Sequence, residues 1–344
     1  MKSNTGWLAA AALLLPLATA ANPTPNAGAA QRLTTLQAWR SQPFVLVRGA
    51  GPAAPVDLVS FDAATHRVTR RVPVALACER LHTAGGLVAC LRYNRTLSGA
   101  SQVDVRDFGL GLTQESPIQS NSIISRTRAS ADGRLVGTTV FVSGHSYAVP
   151  GQFSTMTHIW DTQRRAMALA LDKLTLTHEG QVVPYTSQTQ LNYWGVTFDP
   201  RDADRFYVTV SIRGRPHLAL ASVARATAQT VRADVECPSL SPDGTRVAFK
   251  KRRADGRGWV PAVLELASGK EIVFTAARNL DDQIEWLDND TLVYEATQTR
   301  MGGAKTDLMV RSARDPGAPE RLWLEDAASP AVHRGAQAGA TAPR

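Results

Sequence analysis

Residues 237–251 read CPSLSPDGTRVAFKK, with a Ser-Pro-Asp-Gly turn set between two short alternating runs. Pro242 presets the first turn residue, Asp243 tolerates the second, and Gly244 can adopt the left-handed conformation that ends a type I turn with a bulge. The segment is one of several copies. Without gaps it overlays CERLHTAGGLVAC, placing Cys237 on Cys78, Leu240 on Leu81, Gly244 on Gly85, Val247 on Val88 and Ala248 on Ala89. It also overlays RTRASADGRLVGT, placing Ser241 on Ser130, Asp243 on Asp132 and Gly244 on Gly133. IEWLDNDTLVYE and WGVTFDPRDADRFYVTV carry the same layout with altered turns.

A second marker tests the period. The strand-like segments that precede the next turn end near Phe61, Val105, Trp160, Leu220, Leu266 and Val310. Their spacing is roughly 45 residues, stretched to about 55 and 60 around the third and fourth units. Six units of short alternating strands at that period predict an all-β fold, a six-bladed β-propeller of four-stranded antiparallel blades. One small twisted sheet cannot bury both faces alone, whereas a ring of them can, and closure shields the strand edges. Proline and glycine punctuate the chain too often for helical repeats of similar length. The first unit lacks an innermost strand, to be supplied by the segment after Trp323 or by the start of the mature chain.

The N-terminus bears Lys2 and an apolar run, WLAAAALLLPLATAA, ending in an Ala18-Thr19-Ala20 small-residue site. That reads as a cleaved secretory signal peptide over residues 1–21. The run falls short of the roughly 20 residues that a spanning helix needs, and Pro16 interrupts it. No membrane span is expected in the mature chain. A flexible segment is expected over residues 22–35, the propeller over 36–330, and a disordered Pro/Gly/Ala-rich tail over 331–344. The net charge of +8, mostly from arginine, suits anionic partners such as acidic proteins or cell-wall polymers, and export argues against nucleic acid. In an oxidising compartment a turn centred on Ala84 brings Cys78 and Cys90 together as a disulfide, leaving Cys237 as a small buried apolar residue.

The stretch LSPDGTRVAF and its downstream partner LELASGK resemble the TolB-like propeller repeat. As architecture the resemblance covers nearly all of the mature chain, but only residues 237–275 match the motif closely. It implies a periplasmic protein of the Gram-negative envelope and a protein-binding propeller. The α/β domain that precedes the propeller in TolB has no counterpart in the roughly twenty residues between the signal and the first strands.

Catalytic motifs are weak. Gly144-His145-Ser146 lies between strand-like segments, without the strand-to-helix setting of a nucleophile elbow. The histidines show neither H-x-H nor H-E-x-x-H, and the Asp-rich turns lack calcium-loop spacing. No catalytic residue, metal or cofactor is assigned. The run Lys250 to Arg253 reads as a solvated rim loop, with an anionic docking patch as the alternative. Binding residues are placed instead in the two insertions, roughly 143–156 and 176–194, which carry His145, Tyr147, Phe153, Tyr185, Tyr193 and Trp194, a mixed aromatic and polar set. The expectation is a monomeric, non-enzymatic module that binds an envelope protein or an anionic cell-wall component. The alternatives are a propeller enzyme of lactonase, lyase or hydrolase type and a carbohydrate-binding module.

Overall fold

The computed structural model describes residues 36–49, 55–93, 100–119, 122–142, 154–275, 277–280, 282–300 and 303–335. These residues form six antiparallel sheets, the blades of a β-propeller. The innermost strands of blades 1 to 6 are Ala327–Arg334, Arg80–Ala84, Ile123–Ala129, Asn192–Asp199, Glu236–Leu240 and Glu285–Trp286. The third strands are Pro55–Phe61, Ser101–Asp107, Thr155–Asp161, Arg215–Ser222, Trp259–Glu265 and Gly303–Ser312. Each residue that marked the period in the sequence lies in one of these third strands or one residue beyond it.

The segment after Trp323 closes the ring. Ala327–Arg334 pairs antiparallel with Pro43–Gly49, Phe44 opposite His333 and Val45 opposite Val332. This strand runs past the expected tail boundary at residue 331. His333 is held there by its ring, 4.6 Å from that of Phe44, and Arg334 donates to the Trp286 carbonyl at 2.5 Å.

Alternation within the strands explains how six small sheets share one core. Successive side chains point to opposite faces, and in Pro43–Gly49 both faces are apolar. Phe44 and Leu46 join Leu81, Val88 and Phe108 of blade 2, while Val45 and Val47 join Leu287, Val293 and Val310 of blade 6. The same division repeats around the ring, giving six apolar clusters, one at each junction between neighbouring blades. Each fully buried Val, Leu or Phe contributes about 1.5–3 kcal/mol.

The repeated turn is built twice, bond for bond. Gly244 N donates to Ser241 O at 2.8 Å, Arg246 N to Ser241 Oγ at 3.0 Å, and Ser241 Oγ to Asp243 Oδ1 at 2.6 Å. In blade 3, Gly133 N donates to Ser130 O at 2.9 Å, Leu135 N to Ser130 Oγ at 2.9 Å, and Ser130 Oγ to Asp132 Oδ1 at 2.5 Å. Asp243 and Asp132 are therefore turn-forming residues, and Gly244 and Gly133 take φ of 68° and 74°.

Three local readings change. Residues 175–183 are not a loop: Thr175–His178 pairs parallel to the fourth strand of blade 4, and Gln181–Val183 adds outside it, so this blade carries an outer hairpin beyond its four strands. Leu176, fully buried in the junction with blade 3, anchors that hairpin. Cys78 and Cys90 are bonded, but the turn lies at Gly85-Gly86 and Cys90 stands opposite Leu81. Cys78 sits just before the hairpin, so the bridge ties the crossover from blade 1 to the second strand of blade 2. Finally, Lys250 is fully buried in the second strand of blade 5, in register with Glu236 and 4.2 Å from the Trp259 ring. Lys251 pairs with Glu271 at 3.0 Å and Arg253 donates to the Ala277 carbonyl at 2.6 Å. The charge run belongs to a strand and its packing, because that strand continues to Arg252. Cys237 is free and buried.

Candidate functional site

Antiparallel alternation sorts the connections onto two rims. The first-to-second turns of blades 2 to 6 and the third-to-fourth turns lie at one end of the blades; second-to-third turns and blade-to-blade crossovers lie at the other. The turn rim is knit together. A Cβ on Gly85 would meet Gly133 N at 2.3 Å, Arg201 Nη2 donates to Gly244 O at 2.9 Å, and Asp243 N donates to Asn289 Oδ1 at 3.0 Å. His66 of blade 1 reaches Asp288 of blade 6 at 2.7 Å.

Both sequence insertions connect on the crossover rim, at blades 3 and 4. His145, Tyr147 and Phe153 lie outside the described residues, as do Gly144 and Ser146. The remaining three candidates separate. Tyr185 is 60% exposed in the crossover to blade 4. Tyr193 and Trp194 are not loop residues: they belong to the inner strand of blade 4 and are buried.

Tyr185 and Tyr193 nevertheless line one cavity of about 260 Å³ between the two blades. Its wall also includes Val142 and Ser154, then Thr155, Met156, Thr157 and His158 of the third strand of blade 3, Leu171 and Asp172 of a 3-10 turn (Leu171–Lys173), and Leu191 and Asn192. The wall is fixed by hydrogen bonds across the junction. Thr155 N donates to Asn192 Oδ1 at 2.9 Å, and the hydroxyls of Thr155 and Thr157 donate to the Tyr193 carbonyl, each at 2.6 Å. Two buried polar atoms of this wall, Tyr193 Oη and His158 Nδ1, have no hydrogen-bond partner among the described residues. Burial lowers the pKa of His158 despite Asp172, and burial with Tyr185 and Asp172 raises that of Tyr193. Both groups are therefore neutral at pH 7. Asp172 carries the charge of the wall and is shared with Lys173 at 3.3 Å.

Linear spacing could not have revealed His158 or Asp172 as neighbours of the tyrosines: they come from the third strand of blade 3 and the 3-10 turn that follows that blade, and the blade junction brings them together.

The central channel is a second polar site. Arg80, Arg126, Thr127, Arg128, Asp282, Glu285 and Ser329 surround a cavity of only about 20 Å³. Its carboxylates are taken up by arginines: Arg126 Nη1 lies 2.5 Å from Asp282 Oδ1, and Arg128 is bonded to Glu285, to Ser239 Oγ at 3.0 Å and to the Ile284 carbonyl at 2.9 Å. His82 Nδ1 accepts from Ala129 N at 3.0 Å while Nε2 faces Glu285 at 3.4 Å. Burial, then Arg128 and Arg334, lowers the pKa of His82 well below the usual range, so it is neutral. Glu295 accepts the Ser329 amide of the closing strand. Burial, then Asp282, pushes its carboxyl up to about 8. Burial also pushes Asp282 up, but Arg126 and Arg80 outweigh it and hold that group below the carboxylate range. Arg80 Nη2 lies 3.6 Å from Asp282 Oδ2, and the Glu295 carboxyl, hydrogen-bonded to Asp282, keeps the proton that the pair shares.

No protein-family signature and no curated protein matches the sequence. Among solved structures, TolB from Acinetobacter baumannii is similar with a TM-score of 0.58 and 15% identity, over 86% of this chain and 67% of that one. The fold is a TolB-like β-propeller. A TolB structure from Agrobacterium tumefaciens gives a TM-score of 0.49 at 9% identity, over 84% of this chain and 91% of that one. The β-propeller domain of the trilobed protease from Pyrococcus furiosus gives 0.42 at 11% identity, over 82% and 81%. At these identities the TolB-like likeness concerns architecture. Among the described residues no helix is long and apolar enough to cross a membrane.

Proposed function

We propose that this chain is an exported, non-enzymatic binding module of the bacterial envelope, delivered to the periplasm by residues 1–21 and engaging a protein partner through its crossover rim at blades 3 and 4. The observation that carries this reading is the asymmetry of the two rims. Polar groups of the turn rim tie blade 4 to 5, blade 5 to 6 and blade 6 to 1. The strands that flank the first insertion end at the crossover rim, which also carries the exposed Tyr185 and the 260 Å³ cavity. Loops that exceed the repeat minimum on a rigid scaffold are where binding concentrates.

The channel supports the non-enzymatic half of the proposal. A space of about 20 Å³ holds roughly one water, and the carboxylates around it are engaged by arginine. The TolB-like fold and the apolar N-terminal run support an envelope setting.

The test is site-specific photo-cross-linking in intact envelopes, with a photoreactive residue at Tyr185 on one rim or at Asn289 on the other. Adducts to a protein are expected from position 185 and not from 289. Adducts from 289 alone, or from neither, would refute the proposal.

A further inference from the structure

We infer that the protein partner lays an acidic, extended segment of its chain into the open cavity at the outer margin of blade 4, along the free edge of that blade's fourth strand. The inference deepens the proposal above and rests on it, since its occupant is part of a protein.

The insertion itself shapes this cavity. Thr175–His178 runs beside the fourth strand, Thr227–Ala233, only as far as Thr177 opposite Gln229. It then turns back at Glu179 and Gly180, where Gly180 takes φ of 79°, and returns as Gln181–Val183. Past that point residues 230–233 continue the fourth strand with no strand outside them among the described residues. They line a cavity of about 550 Å³, walled on one side by His178, Glu179 and Val183 of the hairpin and on the other by Ile212, Arg213 and Arg215 around the turn between the second and third strands. A free strand edge is a template for pairing with another chain. Alternate backbone groups of residues 230–233 point away from the third strand, and four residues span about 13 Å, which suits a short extended segment.

Charge sets the sign of that segment. Arg213, Arg215 and Arg232 line the cavity against one carboxylate, Glu179. Arg215 is paired with Asp234 at 2.9 Å, and Arg232 and Lys251 share Glu271 at 3.2 and 3.0 Å. With these neighbours counted, and the two histidines of the wall left aside, one positive charge is in excess. Its source is Arg213, which is exposed on the turn and whose side chain has no hydrogen bond or ion pair among the described residues. The Arg213 amide donates to the Thr189 carbonyl at 2.9 Å, so this guanidinium stands on a fixed base. Between the acidic positions, alternate side chains of an extended segment would meet Val183, Ile212 and the half-exposed Val231.

The experiment titrates the purified protein at low salt, by calorimetry, with an acetylated heptapeptide alternating glutamate and valine. Two controls carry lysine in place of glutamate, or N-methyl groups on the valine amides. The acidic peptide is expected to bind with a Kd of about 0.1–1 mM, the lysine peptide not to bind, and the N-methylated peptide to lose about tenfold because it cannot donate to the strand edge. Arg213→Glu should weaken the acidic peptide about fivefold without lowering the melting temperature. Arg321→Glu, the same charge change on the exposed outer strand of blade 6, should leave binding as in the parent. The inference is overturned if the acidic peptide does not bind, if the lysine or N-methylated peptide binds as well, or if the two charge reversals act equally. Cross-links from position 185 without peptide binding would sink this inference and leave the partner proposal standing; peptide binding without cross-links in envelopes would do the reverse.

Discussion

Replacing Glu295 with glutamine should flatten the pH dependence of stability on the alkaline side. The glutamine carbonyl can accept the Ser329 amide, and its NH₂ can donate to Asp282 as the protonated acid does. What is lost is the ability to ionise. The folded pKa of Glu295 lies above its ordinary 4.5, at about 8. Such a group adds stability in full below pH 4.5 and loses it as pH rises through 8. Every tenfold gain in proton affinity on folding is worth about 1.4 kcal/mol, which sets a ceiling of about 5 kcal/mol. The side chain keeps some solvent contact, so less is expected. Between pH 6.5 and 8 the parent should lose up to about 2 kcal/mol relative to Glu295→Gln. For a domain of this size that is a few degrees of melting temperature. The comparison belongs above pH 6.5, because His82, His158 and His333, whose folded pKa values are depressed, add stability above pH 6.5 and lose it as pH falls. Thermal melts of both proteins from pH 5.5 to 9 provide the test. Parallel curves would show that Glu295 does not hold its proton in the fold. A variant destabilised equally at every pH would show that the glutamine amide cannot replace it.

Other perturbations probe the remaining features. Asp282→Asn strips Arg126 and Arg80 of their shared carboxylate and should cost about 3–5 kcal/mol, as expected for breaking a buried pair, measured by urea unfolding. Gly85→Ala places its Cβ 2.3 Å from a backbone nitrogen of the next blade, so it should destabilise by several kcal/mol, whereas Gly214→Ala, at positive φ but in open space, should lose only about 1 kcal/mol. Reducing the Cys78–Cys90 bridge should lower stability by about 3 kcal/mol through a looser unfolded chain, seen as a lower melting temperature in reductant.

Much of this architecture was legible because the repeat is written in turn chemistry. Ser241-Pro242-Asp243-Gly244 and Ser130-Ala131-Asp132-Gly133 encode the same bonds, and a turn is a local object. The outer hairpin of blade 4 was not legible, since Thr175–His178 pairs with a strand some fifty residues later through a parallel ladder that leaves no local signature. The candidate site was half visible. Tyr185 stands out as an aromatic residue in an insertion, but Tyr193 and Trp194 follow the alternation of a strand that burial on both faces disguises. Lys250 misled for a related reason: a lysine in a charged run reads as exposed, whereas here the Trp259 ring of the neighbouring strand lies against its ammonium group.

The closing strand also sets a clock. Val45 cannot meet Val332 until nearly the whole propeller sequence is in place, and a contact so distant along the chain must be formed against a large loop-closure entropy. Blade 1 is thus the first begun and the last completed. Until that moment the second strand, Pro43–Gly49, holds an unpaired edge of the kind that recruits other strands. The interval between emergence of residue 49 and arrival of residue 327 is the period in which this protein is most exposed to aggregation, and a chaperone acting on it would be needed then.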